Sequence, residues 1–322
     1  MTISAHSFEI ALNAEGFRDS RTPDGAVVVP PPTGADLLFA SNFEGTVQFS
    51  APYGCGGPSC WQDILGTDPT TGYNFQSSPM FTTSRNMTVV HQTQLIAGVD
   101  GINPTTMNNW CVNEVQTTTG RLGTQTRAAR FQILQTAGQA QNVFRWVSDT
   151  PTAGTEHMYW RFWLRLESDL NAISQNGDWF GFWSWKTHGD DYRISSQIWK
   201  QSGKLIWILQ GSWWDGSTWR MYFRLANTSV PVPQGQWFKV EAFFDRAGNG
   251  RVWQAINDVV VFDTRPPDTA VGEVWTPHSQ SNLMGRNNAK IWQGTFHTIR
   301  AGRGARDIWL DEFAVLDGFP PG

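Results

Sequence analysis

The run that most restricts the fold is residues 235–263, GQWFKVEAFFDRAGNGRVWQAINDVVVFD. Strand side chains alternate with period two. Phe238, Val240, Ala242 and Phe244 therefore fall on one face, and Trp237, Lys239, Glu241, Phe243 and Asp245 on the other. The segment from Asp245 to Gly250 carries turn chemistry, because Gly and Asn tolerate positive φ. A second strand is predicted from Arg251 to Asn257. Asn257-Asp258 then turns the chain into a third, Val259 to Phe262. Two sequential hairpins with one apolar face are the unit of an antiparallel all-β domain. The opposite face mixes aromatic and polar groups.

The same reading extends along the chain. Residues 1–35 form a tail or linker ending in Val27-Val-Val-Pro-Pro-Pro32, an extended, stiff segment. A single domain is expected over 36–322. Its first strand starts at Asp36 and contains Leu37-Leu-Phe-Ala-Ser-Asn-Phe-Glu44. Long loops are expected at 45–86, rich in Gly, Pro, Ser and Thr, and at 98–125. Further strands are predicted near 87–97, 126–135, 142–148, 158–167, 179–186, 193–200, 203–210, 217–225, 290–300 and 307–316. Helical periodicity is nearly absent. Many short strands separated by turns read as a sandwich or jelly roll.

Charged residues make up 16% of the chain, below the ~25% of ordinary soluble domains. The 18 Trp are far more than usual. Most are expected in the core, the rest as flat plates that stack on sugar rings. With 24 basic and 28 acidic residues the net charge is −4, so no global field attracts nucleic acid or an anionic membrane. No apolar run approaches the ~20 residues of a membrane span. The start, MTISAHSFEIALNAEGF, lacks the basic and apolar regions of a secretory signal. Cys55 and Cys60 flank a loop that can close as a small disulfide, and pairing of either with Cys111 is equally open. No His sits nearby at zinc-ligand spacing. A disulfide would place the chain in an extracellular or secreted setting.

Four segments carry a resemblance: Tyr159-Trp-Arg-Phe-Trp-Leu-Arg165, Gly235-Gln-Trp-Phe-Lys-Val-Glu241, Gly250-Arg-Val-Trp-Gln-Ala-Ile-Asn257 and Asp307-Ile-Trp-Leu-Asp-Glu-Phe313. Together they resemble concanavalin A-like jelly-roll domains of the polysaccharide lyase superfamily, the alginate and glucuronan lyases. The resemblance implies an all-β, concanavalin A-like β-jelly roll of two packed antiparallel sheets. It also implies a lyase that cleaves a uronate-containing, hence acidic, polysaccharide by β-elimination in a sheet groove. Such a reaction needs donors that neutralise the uronate carboxylate, and a base that takes the adjacent proton.

Alternation supplies candidates for that groove. In Thr126–Ile133, Ala129, Phe131 and Ile133 face inward, turning Arg130 and Gln132 outward. In Arg193–Lys200, Ile194, Ser196 and Ile198 face inward, turning out Arg193, Gln197 and Trp199. In the 159–167 strand, Trp160, Phe162 and Leu164 face inward, leaving Arg161, Trp163 and Arg165 out. Guanidinium forks suit carboxylates and indoles suit sugar rings. Arg127-Ala-Ala-Arg130 resembles a degraded form of the Arg-x-Glu-x-Arg strand of the alginate lyases. Gln197-Ile-Trp199 resembles their Gln-Ile-His motif, with Trp199 where that family has its catalytic His. Their Tyr-rich late strand is not matched by Trp292–His297. The expected catalytic set is therefore His188 and Tyr192 as acid/base, with Arg130 and Gln197 at the carboxylate. Substrate contacts are expected from Gln132, Arg161, Trp163, Arg165, Lys186, Arg193, Trp199 and Tyr222.

Two other functions fit the sequence. One is a non-catalytic carbohydrate-binding module or adhesin, which the missing His and the excess Trp favour. The other is a jelly-roll glycoside hydrolase on a glucan, using Glu241 and Asp245, although Phe243 stands between them where such hydrolases carry Asp. Glu44 and Asp311 resemble the terminal pair that binds structural calcium in many jelly rolls, since hard oxygen ligands favour that ion. No catalytic cofactor is expected.

Overall fold

The computed structural model describes residues 36–75, 80–82, 87–90, 92–134, 141–148, 157–168, 179–187, 192–214, 216–245, 251–264, 291–299 and 306–318. The expected tail over 1–35 lies outside them.

The early strands are β1 (Asp36–Ser41), β2 (Gln48–Phe49), β3 (Tyr53–Gly56), β4 (Ser59–Thr67), β5 (Asn74–Phe75), β6 (Met80–Thr82), β7 (Met87–Val90) and β8 (Gln92–Ile96). A short helix, α1 (Pro104–Met107), precedes β9 (Cys111–Thr119), β10 (Gln125–Ile133), β11 (Gln141–Ser148) and β12 (His157–Leu166). Next come β13 (Trp179–Thr187), β14 (Tyr192–Gln201), β15 (Lys204–Trp214) and β16 (Trp219–Asn227). The chain continues with β17 (Trp237–Asp245), β18 (Arg251–Ile256), β19 (Val259–Thr264), β20 (Ile291–Ile299) and β21 (Arg306–Asp317).

These strands build an all-β jelly roll with two large antiparallel sheets. The back sheet has the order β19-β18-β17-β12-β21-β10-β9, with β1 also on β21. The front sheet has the order β16-β15-β14-β13-β20-β11-β7-β6. Between them lies one apolar core. The 235–263 run is placed as its alternation requires: Phe238, Val240, Ala242 and Phe244 are buried in that core. Asn257 and Asp258 both adopt positive φ, 48° and 67°, which closes the β18–β19 hairpin with the twist a two-residue turn needs. Aromatic contacts join the sheets. The Trp185 ring stacks on Phe244 at 5.5 Å, and Trp207 meets Phe238 edge-on at 6.2 Å. Indole N–H groups also find partners across the core, Trp183 on Gln254 Oε1 at 3.1 Å and Trp185 on Met158 Sδ at 3.0 Å. Gln254 is thus a fully buried polar residue in an otherwise apolar row, placed to accept from an indole.

One expectation needs correction. The stretches 45–86 and 98–125 are not simply loops. They hold β2–β6, α1, β9 and the start of β10, and β4 is the centre of a third sheet, β2-β4-β3, to which β5 and β8 also pair. Gly and Ser residues masked a plain alternation there: Cys60, Gln62 and Ile64 are buried while Trp61, Asp63 and Leu65 are half-buried. Among the described residues the Trp side chains divide in two. Trp160, Trp183, Trp185 and Trp207 are fully buried, but Trp61, Trp110, Trp163, Trp199, Trp237, Trp253 and Trp309 are half-buried.

Cys55 and Cys60 form a disulfide, and Cys111 is a buried free thiol beside it in a small apolar cluster with Leu95 and Met107. No helix among the described residues is long and apolar enough to cross a membrane.

Candidate functional site

Alternation correctly gives the inner face of β10, β12 and β14, but pairing decides which sheet a strand joins. Arg130, Gln132, Arg161, Trp163 and Arg165 lie on β10 and β12 of the back sheet, whereas Arg193, Gln197 and Trp199 lie on β14 of the front sheet. Both sets face away from the shared core. They occupy opposite outer surfaces, so the single groove expected of them does not form.

The back-sheet members are tied up in protein contacts. Arg130 bridges Glu114 at 2.7 Å and Asp307 at 2.9 Å, one on each neighbouring strand. Its charge is spent on those two carboxylates, which corrects its expected place at a uronate. Gln132 lies opposite Asp307 and Val112 on the same outer surface. The Arg165 guanidinium lies over Trp309 at 4.0 Å and Trp237 at 5.2 Å, and donates to Thr118 Oγ1 at 2.8 Å. Trp163 carries the Arg121 guanidinium at 4.7 Å, and Arg121 pairs with Glu312 at 2.9 Å. Arg161 is buried.

Beside Arg161, Glu241 accepts from the Tyr159 hydroxyl at 2.5 Å and pairs with Lys239 at 3.3 Å. Lys239 also reaches Asp258 at 2.5 Å. Burial, then the Glu241 carboxylate, push the Tyr159 hydroxyl well above its usual range, so it stays a donor. Asp245 pairs with His157 at 3.0 Å. Both Glu241 carboxylate oxygens are thus committed to protein contacts, Oε1 to Tyr159 and Oε2 to Lys239, which counts against a hydrolytic role.

Glu44 and Asp311 do come together. Thr126 Oγ1 donates to Glu44 Oε1 at 2.8 Å and stands 3.5 Å from Asp311 Oδ2; Glu44 Oε1 also accepts from the Arg127 amide at 3.0 Å. Asp311 Oδ1 accepts from the Glu312 amide at 2.8 Å. Calcium takes six to eight oxygens. Among the described residues, no group of three or more His, Cys, Asp and Glu is gathered to hold a metal. Both carboxylates also serve amides or a hydroxyl. Burial, followed by the negative Glu312 and Glu44, pushes the Asp311 carboxyl well above the usual range.

The front sheet differs in charge. None of its eight strands contains an Asp or Glu, while Arg145, Lys186, Arg193, Lys200, Lys204, Arg220 and Arg224 lie within them. Asp190 and Asp191, in the link from β13 to β14, lie outside the described residues. The back sheet by contrast carries Glu114, Glu241, Asp245, Asp263, Asp307, Asp311 and Glu312. Register then aligns rows of side chains on the front face. Lys186, Arg193 and Ser212 form one row, and Ser184, Ser195, Gln210 and Arg224 the next. Four strands at ~4.8 Å spacing make the second row about 14 Å long.

This face is preorganised. Arg193 Nε donates to Ser212 Oγ at 2.8 Å, and Trp199 Nε1 donates to Gln197 Oε1 at 2.6 Å. Arg224 holds its guanidinium 4.3 Å over the Trp199 ring while its Nε and Nη2 approach Gln210 Oε1 at 3.4 Å. Ser184 Oγ is buried and has no partner among the described residues. Sequence reasoning named Lys186, Arg193, Gln197 and Trp199 on this face and passed over Ser184, Ser195, Gln210, Ser212 and Arg224. Outward Ser and Gln on a strand look like ordinary solvated positions until register lines them up. The Tyr192 backbone begins β14 opposite Trp213, and Tyr222 lies in β16, but the side chains of both fall outside the described residues, as does His188 entirely.

The chain matches no protein-family model and no curated protein sequence. Among solved structures it is similar to the endo-β-1,4-glucuronan lyase of the fungus Trichoderma reesei, at 14% identity and a TM-score of 0.44, over 66% of this chain and 89% of that one. It is also similar to the cellulose-induced protein Cip1, at 15% identity and a TM-score of 0.41, with the same coverage of 66% and 89%. A third is the carbohydrate recognition domain of Emp47p, at 10% identity and a TM-score of 0.39, over 76% of this chain and 99% of that one. At such scores none of the three carries a function across to this chain.

Proposed function

We propose that the front sheet holds an acidic polysaccharide across strands β13 to β16. One observation carries this reading: Lys186 and Arg193 are cross-strand neighbours on a sheet without a carboxylate in its strands. Two cations side by side on one outer face can grip a carboxylate from both sides. Carboxylates on a uronate chain supply such anions at regular intervals. Arg193 offers a guanidinium for a bidentate contact, Lys186 a point charge and Gln210 an amide, while Ser184, Ser195 and Ser212, at 2%, 7% and 7% exposed, floor the row. Trp199, 4.3 Å beneath the Arg224 guanidinium, supplies the indole for stacking.

Cleavage by β-elimination on this face is the second reading. The groups that hold a uronate carboxylate also neutralise it, which is the first requirement of that chemistry. Gln197 would assist there, with Tyr192 or His188 as the proton-transferring group. Trp199 in place of the His favours binding without cleavage. The Cys55–Cys60 disulfide supports an oxidising setting outside the cell, where such polysaccharides are met.

The experiment supplies polyglucuronate, alginate, polygalacturonate and chondroitin to the intact protein. It follows retention on the immobilised polymer and the ultraviolet absorbance of an unsaturated uronate together. Retention without absorbance selects the binding module, and both together select the lyase. Absence of both across the four polymers overturns the proposal.

A further inference from the structure

The third sheet carries a separate arrangement on its outer face. Pairing sets Tyr53 of β3 and Gln94 of β8 on either side of Trp61 of β4, directly in register, and sets Gln92 beside Asp63. At ~4.8 Å between strands the Tyr53–Trp61–Gln94 row is about 10 Å long. Gly54 separates Tyr53 from the disulfide, and a Cβ there would meet Trp61 Cδ1 at 3.6 Å, so the indole lies against bare backbone of β3.

The polar ends are tied together at the surface. The Tyr53 hydroxyl donates to Asp63 Oδ1 at 2.6 Å. Gln92 Nε2 donates to the Tyr53 oxygen at 2.6 Å and to Asp63 Oδ1 at 3.2 Å. Ser50 fixes the strand beneath, its Oγ accepting from the Asp63 amide at 2.9 Å and its own amide donating to the Asp63 carbonyl at 2.8 Å. Among the described residues, Asp63 Oδ2 and Gln92 Oε1 have no partner. Tyr53 is 38% exposed, so the cluster is open to solvent. No Lys or Arg occurs in β2, β3, β4, β5 or β8.

We infer that this face is a second glycan site, separate from the front sheet, which takes a neutral pyranose oligosaccharide. The Trp61 and Tyr53 rings present flat apolar area to the C–H face of a sugar ring. The acceptors left on Asp63 and Gln92 match sugar hydroxyls acting as donors, the Gln92 Nε2 hydrogens being given to Tyr53 and Asp63. A hydrogen bond from a hydroxyl to the ionised carboxylate is among the stronger ones available. The same carboxylate, with no cation on these strands, repels uronates and phosphates. The two faces therefore select opposite sugars, a neutral one here and an acidic one on the front sheet.

The test titrates the intact protein with neutral hexaoses of glucose, mannose, xylose and galactose, reading tryptophan fluorescence and heat. A saturable change with at least one hexaose is expected. Trp61→Ala and Asp63→Asn should each weaken it tenfold or more, while Lys186→Gln leaves it unchanged. Retention on acidic polymer by the Trp61 and Asp63 variants separates this site from the front-sheet proposal, so either can fail alone. Should Trp61→Ala unfold the small sheet, Asp63→Asn and Tyr53→Phe, which keep volume, decide the matter. No saturable change with any of the four sugars, or wild-type affinity in the volume-conserving variants, overturns the inference.

Discussion

Lys186 stands directly opposite Arg193 in the β13–β14 ladder, two cations on adjacent strands of a sheet whose strands hold no carboxylate. A hydrogen bond to a charged group is worth about 1.5–3 kcal/mol. Lys186→Gln or Arg193→Gln should therefore weaken acidic-polysaccharide binding roughly tenfold to a hundredfold. Measured on immobilised polyglucuronate, retention should also fall as salt is raised, because screening acts on the same charges. Salt-independent retention would remove the ionic argument.

Arg130 gives the opposite result. It lies on the far surface and its guanidinium bridges Glu114 and Asp307. Arg130→Ala should leave polysaccharide retention unchanged and cost about 1–3 kcal/mol of stability, since two carboxylates lose their partner. Denaturant unfolding beside a retention assay reads both.

Glu241 is a structural carboxylate. Its contacts to Tyr159 and Lys239 are buried. Glu241→Gln should lower the denaturation midpoint without altering any release of sugar or any retention on polymer. Loss of reducing-sugar release in that variant, at unchanged stability, would restore the hydrolase reading.

Asp311 should show a pH signature. Its folded pKa is raised above the unfolded value near 3.8 by burial and by Glu312 and Glu44. The folded state then binds the proton more tightly than the unfolded chain. Stability from this group is full below the unfolded pKa and is lost as pH rises through the folded one. Asp311→Asn should accordingly raise the melting temperature at pH 7, with the difference shrinking toward pH 4. A variant that instead melts lower at pH 7, and only when calcium is present, would identify a cation there.

Cys111 should be silent in the native protein. Burial pushes its thiol up to about 12, against a backbone bond to Ile96 that works the other way. No thiol should react with a disulfide reagent at pH 8 until denaturant is added, when one should appear. Immediate reaction would mean that the cluster around Cys60 and Leu95 opens.

Much of the fold was legible because its information is local. Phe238 to Phe244 alternate cleanly, Asn257-Asp258 is a turn dipeptide, and both appear in the structure as read. Bulges blur that pattern. In β21, Leu310 and Phe313 are both buried although three residues apart, because Glu312 adopts φ 47° and adds one residue to the strand. A break in alternation was therefore the visible sign of the bulge. The third sheet was hidden by composition, since Gly, Pro and Ser around Cys55 suggested loop more strongly than Cys60, Gln62 and Ile64 suggested strand.

The sequence by itself determined which side of each strand meets the core, for that depends on neighbours two residues away and on the cost of wetting apolar side chains. Only the tertiary structure decided that Arg130 and Arg193 face opposite solvents, and that Ser184, Ser195, Gln210 and Arg224 share a row. Sheet membership and register are set by hydrogen bonds between strands far apart in the chain. A period-two pattern is the same in every strand and holds no record of its partner.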